Sequence, residues 1–340
     1  MSSSRLPEPT ISRHFVSSLC ESLSEHQAVT AAGLERFEFT NIAELARVPL
    51  RRYIGLFEWF SETLGSPWLG LKLSQSMGPD AIGASGYMFL VSRNLRLALD
   101  NLGRCLRAVQ DSSTLYVGID EEYTYVHYEI LDSRIVHRRQ DSEYSIGFIW
   151  HLMRLFSGNT CKLTMVEFEH DRPAEGDGPY RSIFGAPVLF RRPANRLHFR
   201  TEQLPIESHV GDPHLYPILE EQVHGAMDQA DRISSFQDQV RATLTPESLG
   251  AGIRARAAAA RLGISESTLH RRLRGEGTTF KRLFDDAAKS HASYLIAQKT
   301  VPIASIARRL GYAETACLTR AFRRWFNVSP REYRRGLSLH

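Results

Sequence analysis

Apolar residues along this chain fall at helical spacing, then at strand spacing, then at helical spacing again, and those switches divide it. After a lead-in over 1–10 predicted to be disordered, Ile11, Phe15, Leu19 and Leu23 recur every fourth residue and space a first helix. Asn41-Ile42-Ala43-Glu44-Leu45-Ala46 starts a second, with Asn41 as its cap. Leu50, Tyr53, Ile54, Phe57 and Leu64 define a third that stops at Gly65 and Pro67. The stretch Gly78 to Gly86 reads as a loop. Asn94 to Asp111 then carries Leu95, Ala98, Leu99, Leu102, Leu106 and Val109 on one face, an amphipathic helix. From there the period becomes two. Residues 113–119 and 123–130 are rich in β-branched and aromatic side chains and flank Asp120-Glu121-Glu122, which predicts a hairpin. Helical spacing returns over 142–157. Leu163–Glu169 alternates with a slip of phase at Val166, and short strands are predicted near Val188–Phe190 and Arg196–Phe199, either side of Pro193. Residues 11–205 are thus expected to form one α+β domain. A connector over 206–236 follows: a polar boundary from Glu207 to Pro213, then one or two helices between Pro217 and Leu244. Thr245-Pro246-Glu247 can cap another.

Over 237–337 the pattern is helical throughout, and it repeats. Ile303 to Arg335 reads IASIARRLGYAETACLTRAFRRWFNVSPREYRR. Ile303, Ile306, Ala307 and Leu310 make one apolar stripe; Pro302 suits the first helical turn and Gly311 the left-handed position that ends it. The next helix turns Leu318, Phe322, Trp325 and Phe326 inward and leaves Thr319, Arg320, Arg323 and Arg324 on other faces. Ser329-Pro330-Arg331-Glu332 is a capping box with proline at its first helical position. Upstream, Ala-Arg-Leu-Gly at 260–263 returns as Arg-Arg-Leu-Gly at 308–311, an offset of 48. Leu269-x-Arg271-x-Leu273 returns as Leu318-x-Arg320-x-Phe322, an offset of 49, so the second turn holds one residue more. A repeated supersecondary unit is stronger evidence than either copy alone. The predicted C-terminal domain is therefore all-α, with helix-turn-helix motifs at about 254–274 and about 302–326. A linker helix over about 280–298 joins them, with Leu283, Phe284, Ala287, Ala288, Tyr294 and Leu295 as its apolar seam. Such a helix is roughly 28 Å long, close to the roughly 34 Å of one turn of duplex.

Charge follows the same division. Residues 245–340 hold 18 Lys and Arg against 7 Asp and Glu, leaving 24 against 31 in 1–244. A basic block beside an acidic one points to a domain that binds polyanions joined to one that does not. The four cysteines, Cys20, Cys105, Cys161 and Cys317, lack CxxC spacing, as expected of reduced thiols in a cytoplasmic protein. No run of eighteen apolar residues occurs, so no membrane span is predicted.

The tandem motif, its joining helix and the closing run Asn327-Val328-Ser329-Pro330-Arg331-Glu332-Tyr333-Arg334 resemble the DNA-binding domain of AraC/XylS-type transcription regulators over about 237–337. Phe184-Gly185-Ala186-Pro187 followed by Pro193-Ala194-Asn195 resembles the arabinose-binding-type N-terminal domain of ornithine-responsive regulators in that family. The resemblance implies an N-terminal domain that binds a small effector and forms a homodimer, with double-stranded DNA and RNA polymerase as partners. It places base-reaching side chains at Ser267, His270 and Arg271 in the first motif, and at Ala316, Cys317, Thr319 and Arg320 in the second. The chain departs from the family pattern at Ala313, Cys317, Ala288 and His291.

The chemistry of those residues fits the roles. Arginine can grip guanine through two hydrogen bonds, which suits Arg271 and Arg320. Ala316 and Cys317 offer only apolar contact. Arg274, Lys281, Arg323 and Arg324 are candidates for phosphate contact, a sequence-blind and salt-dependent role; Arg331, Arg334 and Arg335 either share it or are solvated. Trp325 and Phe326 are expected in the core. In the N-terminal half, Tyr116, Tyr123, Tyr125, Tyr128 and Trp150 either line an effector pocket or are plain core, and no effector-binding residue is assigned. No GxSxG, HExxH, GxxxxGK[ST] or strand-borne GxGxxG occurs, so no enzyme, metal or cofactor is predicted. The sequence thus points to an effector-responsive activator that reads adjacent major-groove segments. The alternative is an architectural DNA-binding protein whose N-terminal domain only oligomerises.

Overall fold

Thr10, placed by sequence in the lead-in, instead opens strand β1 (Thr10–Ser12), which pairs antiparallel with β2 (Arg47–Pro49). Asp111 fastens this pair, accepting from the Thr10 hydroxyl at 2.6 Å and from Arg47 Nη2 at 2.8 Å. The computed structural model describes residues 8–130, 132, 135, 137–192, 194–212, 214–233, 236–244, 248, 253–297, 302–312 and 314–336. They fall into two units parted after Ile233. Residues 1–7, Pro193, Pro213, Thr245-Pro246-Glu247 and Ala313 lie outside them.

In the first unit α1 (Arg13–Glu21) buries Phe15, Val16 and Leu19. A helix absent from the sequence reading follows, α2 (Gln27–Arg36). Asn41 caps no helix: Ile42–Glu44 is a single 3-10 turn without a side-chain cap, and the chain then extends into β2. The third predicted helix forms as α3 (Leu50–Thr63), with Tyr53, Ile54, Phe57 and Phe60 inward. Two more unforeseen helices, α4 (Leu69–Ser76) and α5 (Ala84–Val91), precede α6 (Leu95–Val109). Asn94 caps α6, its side chain accepting from the Leu97 amide at 2.9 Å.

The sheet begins with the predicted hairpin, β3 (Ser113–Ile119) and β4 (Tyr123–Ile130). Then come α7 (Arg139–Phe156), β5 (Leu163–Glu167), α8 (Gly178–Phe184), β6 (Val188–Leu189) and β7 (Asn195–Arg200). The strand order is β3-β4-β7-β5-β6, antiparallel except for the β5–β6 pair. The phase slip in β5 is a register shift between Leu163 and Met165, after which Val166 faces Leu197 on the core side. Val126, Tyr128, Ile130, Val166, Leu197 and Phe199 turn one sheet face into the same apolar cluster as Ile146, Ile149, Leu152 and Phe156 of α7. Helices α4 and α7 cross closely: a Cβ on Gly70 would lie 2.1 Å from the Gln140 carbonyl oxygen. The stretch read as a connector holds α9 (Leu215–Ile233), whose Tyr216, Leu219 and Val223 pack with Met88 of α5 and Cys105 of α6.

The second unit is helical: α10 (Phe236–Ala242), α11 (Ala255–Arg261), α12 (Glu266–Gly275), α13 (Phe280–Ala297), α14 (Ile303–Arg309), α15 (Thr315–Phe326) and α16 (Pro330–Gly336). Phe236, Val240, Ile253, Ala258, Ala259, Leu269, Leu273, Phe280 and Leu283 form one core around α11 and α12. Along α13 the buried line then runs through Ala288, Ala292 and Ile296, while Ile306, Ala307, Leu310, Leu318, Ala321 and Phe322 are buried in α14, α15 and the turn between them. Ala292 and Ile296 were missing from the predicted seam; the side chains of Tyr294 and Leu295 lie outside the described set.

Candidate nucleic-acid interface

The two helical pairs, α11–α12 and α14–α15, turn through the same hydrogen bonds. Ile264 N donates to Ala259 O at 3.0 Å and Gly263 N to Ala260 O at 3.1 Å. Forty-eight residues on, Tyr312 N donates to Ala307 O at 2.9 Å and Gly311 N to Arg308 O at 3.0 Å. Gly263 and Gly311 sit at φ +67° and +73°, the left-handed conformation such a helix end requires. Pro302 stands one residue before the first helical turn of α14, as its N-cap.

In α12 the Ser265 hydroxyl caps the helix by accepting from Thr268 N at 3.2 Å. Leu269 and Leu273 are buried, so the opposite stripe, Ser267, Arg271 and Arg274 at i, i+4 and i+7, is exposed. His270 lies at the margin, half-buried, its Nε2 3.7 Å from Glu266. Two neighbours unassigned by sequence fix the helix in place. Glu276, just past its end, accepts from the amides of Phe236 and Gln237, each at 2.7 Å, and so caps α10. The Arg272 guanidinium lies 5.3 Å from the centre of the Phe236 ring.

Helix α15 repeats the arrangement with different chemistry. Leu318 and Phe322 are buried, and Ala316, Arg320 and Arg323 form the exposed stripe at the same spacing. Its N-cap, Glu314, makes no side-chain cap bond. The Thr319 hydroxyl is occupied by its own helix, donating to Thr315 O at 2.9 Å. Arg320 Nη2 lies 3.2 Å from Cys317 Sγ. Arg324 reaches Asp285 of α13 at 2.9 Å and also lies 5.9 Å from the Trp325 ring. Trp325 and Phe326 are half-buried, with Phe326 against Phe322 and Tyr333 at 4.4 and 5.1 Å between ring centres.

Lys281 is exposed on α13, whose first turn is capped by the Thr279 hydroxyl accepting from Arg282 N at 3.2 Å. The capping box closes as predicted: Ser329 N donates to Glu332 at 2.7 Å and Glu332 N to the Ser329 hydroxyl at 3.2 Å. Those bonds hold the Glu332 carboxyl below its usual range. Arg334 is partly exposed and also engaged within the fold: its Nε donates to Ile296 O at 3.0 Å and closes the carbonyl end of α13.

A family model described as the arabinose-binding domain of AraC transcription regulator, N-terminal, matches residues 24–205, and a helix-turn-helix domain model matches 258–336. The chain belongs to the AraC family of transcription regulators. Like its family members, it is a helix-turn-helix protein that regulates transcription by binding DNA. It is 27% identical over 306 residues to the HTH-type transcriptional regulator VirS of Mycobacterium tuberculosis, covering 86% of this chain and 85% of that protein. It is 26% identical over 273 residues to the ornithine utilization regulator of Pseudomonas aeruginosa, covering 79% of each. The solved transcriptional regulator CdpR from Pseudomonas aeruginosa aligns with 90% of this chain and 98% of its own at 19% identity and a TM-score of 0.44.

The N-terminal aromatics of this AraC-family chain do not form one lining. Tyr128 and Trp150 sit in the main core, where Tyr128 Oη donates to Asp141 at 2.8 Å and Trp150 Nε1 to Ile183 O at 2.9 Å. Strand alternation sends Tyr116, Tyr123 and Tyr125 to the other sheet face. There a buried polar group accompanies them: His198 Nε2 lies 3.0 Å from Glu167, and Arg196 Nε donates to His127 Nδ1 at 3.2 Å. Burial works against the ionised form of Glu167, but the His198 hydrogen bond and the Arg196 charge outweigh it and hold that carboxyl below its usual range. No described helix is long and apolar enough to cross a membrane.

Proposed function

We propose that this AraC-family chain is an effector-responsive activator that lays α12 and α15 into successive major-groove segments of one duplex. The carrying observation is the pair of matched exposed stripes, Ser267/Arg271/Arg274 and Ala316/Arg320/Arg323, each opposite two buried core residues at the same helical spacing. Arg271 and Arg320 stand at the centre of their stripes and read guanine. His270 and Thr319 flank them, and Ser267, Ala316 and Cys317 supply short contacts. Arg274, Lys281, Arg323 and, once released from Asp285, Arg324 neutralise phosphates. Helix α13, 18 residues and so about 27 Å long, sets the spacing near one duplex turn. The first unit, matched by the arabinose-binding model, binds the effector and dimerises. An effector that favours one arrangement of the protein shifts the population competent to bind DNA or contact RNA polymerase.

Footprinting on DNA flanking the chain's own coding region supplies the operator. Arg320→Ala is then expected to weaken operator binding by about 1–3 kcal/mol while sparing random duplex. Arg323→Ala weakens both and lowers the salt slope by about one. Equal losses on both DNAs for Arg320→Ala would remove it from base reading.

A further inference from the structure

The first turns of α7 gather acidic groups away from water. Glu58 of α3 accepts from Gln140 N at 2.7 Å, Asp141 is 2% exposed, and Glu143 is wholly buried. Glu169 pairs with Arg138 at 2.7 Å and Glu143 with Arg139 at 2.6 Å. Among the described residues no cluster of His, Cys, Asp and Glu is arranged to hold a metal ion.

Within this group two hydrogen-bond acceptors are left without donors. Glu143 Oε1 accepts from Arg139 Nε at 2.6 Å and from Tyr180 Oη at 2.5 Å, but Oε2 is buried with no partner. His170 Nδ1 lies 2.9 Å from Asp171 O, a carbonyl that can only accept, so Nδ1 carries the ring hydrogen. That leaves Nε2 as a bare lone pair, buried and without a hydrogen-bond partner, 3.4 Å from Glu143 Oε1. Burial holds the ring neutral, its pKa lowered to about 4. Both unsatisfied acceptors belong to side chains that touch, His170 Nε2 lying 3.4 Å from Glu143 Oε1, and burial without a donor destabilises each. Aromatic rings stand around them: Phe168 is 5.0 Å from His170 and 5.8 Å from Tyr180, and Phe190 is 5.2 Å from Tyr180.

We propose that the Glu143–His170–Tyr180 cluster is the effector site of the first unit, and that its ligand is an organic ammonium or guanidinium ion whose N–H groups satisfy Glu143 Oε2 and His170 Nε2. This rests on the effector-responsive reading above. The His170 side chain is 12% exposed while Glu143 is 0% exposed, so the ligand approaches past the imidazole. Burial pushes the Glu143 carboxyl up to about 7, and a cation beside it holds it ionised.

The test is thermal unfolding of the full chain with 1,4-diaminobutane, L-lysine and L-arginine as cationic probes. Tetramethylammonium serves as a cation without N–H groups, and succinate and L-arabinose as probes of other chemistry. At least one of the first three is expected to raise the melting temperature by about 5 °C at a hundredfold excess over its dissociation constant; tetramethylammonium leaves it unchanged. In Glu143→Gln the amide keeps an oxygen for Arg139 and Tyr180 and places a donor where Oε2 was. This variant should melt no lower than the parent yet lose at least tenfold in probe affinity. His170→Phe keeps a ring, removes the acceptor and should lose a similar factor, so it carries the test if Glu143→Gln fails to fold. Undiminished binding in these variants overturns the site. Silence from all three cations overturns the ligand class. If succinate or L-arabinose then shifts the parent, effector responsiveness stands without this site. If every probe is silent and a small-molecule cell extract leaves the footprint unaltered, both readings fall.

Discussion

Asp141 shows how burial, helped by the neighbouring Glu58 and Glu169 carboxyls, can set the chemistry of a side chain. Loss of water pushes its pKa up to about 7, although the Tyr128 hydroxyl donates to it and opposes the shift. The folded protein therefore prefers the protonated acid. In the unfolded chain the group titrates near 4, so its stabilising contribution is whole below that pH and is lost as pH rises through about 7. Asp141→Asn, neutral throughout, should gain on the parent between pH 5 and pH 8 by about 2–3 kcal/mol in urea denaturation. A difference that stays flat with pH would show that Asp141 does not titrate in this window. Nothing in the sequence marks Asp141 out. The helix expected from spacing begins only at 142, one residue past it, and only the fold brings Tyr128 and Glu58 against this stretch.

At the scale of elements, α12 is held at both ends by interactions of different origin. Glu276 closes α10 with one carboxylate on two amides, so Glu276→Ala should cost the helical unit about 1–2 kcal/mol. Calorimetry on residues 234–340 would read that loss, and an unchanged melting temperature would contradict the capping role. Gly263→Ala meets no atom within 4 Å, so its cost, about 1 kcal/mol, is purely that of forcing a Cβ into the left-handed conformation. Both glycine turns were legible because φ > 0 and an apolar stripe leave a joint signature. So were α3, α6, the hairpin and α7, where long periods repeat without interruption. Short elements escaped for physical reasons. Strands β1 and β2 are three residues each, too brief to display alternation. Helix α5, ASGYMFLV, is apolar almost all round and offers no polar face for contrast, and a glycine precedes it. In α4, Gly70 serves a close crossing that no local pattern announces. On the interface side, the exposed arginines of α15 followed from spacing, while those of α12 came from the family resemblance. The partners of Arg324 and Arg334, Asp285 and the Ile296 carbonyl, come from other helices and were not visible there.

For the molecule as a whole, the division after Ile233 coincides with the change from acidic to basic composition. Residues 234–340 form their own core and are expected to bind operator DNA without the first unit, with an affinity that falls steeply with salt. A mobility-shift titration at two salt concentrations checks this; complete loss of binding would mean that the first unit supplies contacts itself. That fragment has a further convenience, since Trp325 is its sole tryptophan. The Arg324 guanidinium lies over this indole while reaching Asp285. Any backbone phosphate that draws the guanidinium away must alter the colour and yield of the indole's fluorescence. Helix α15 thus carries its own optical gauge, and DNA occupancy could be followed in real time without attaching a dye.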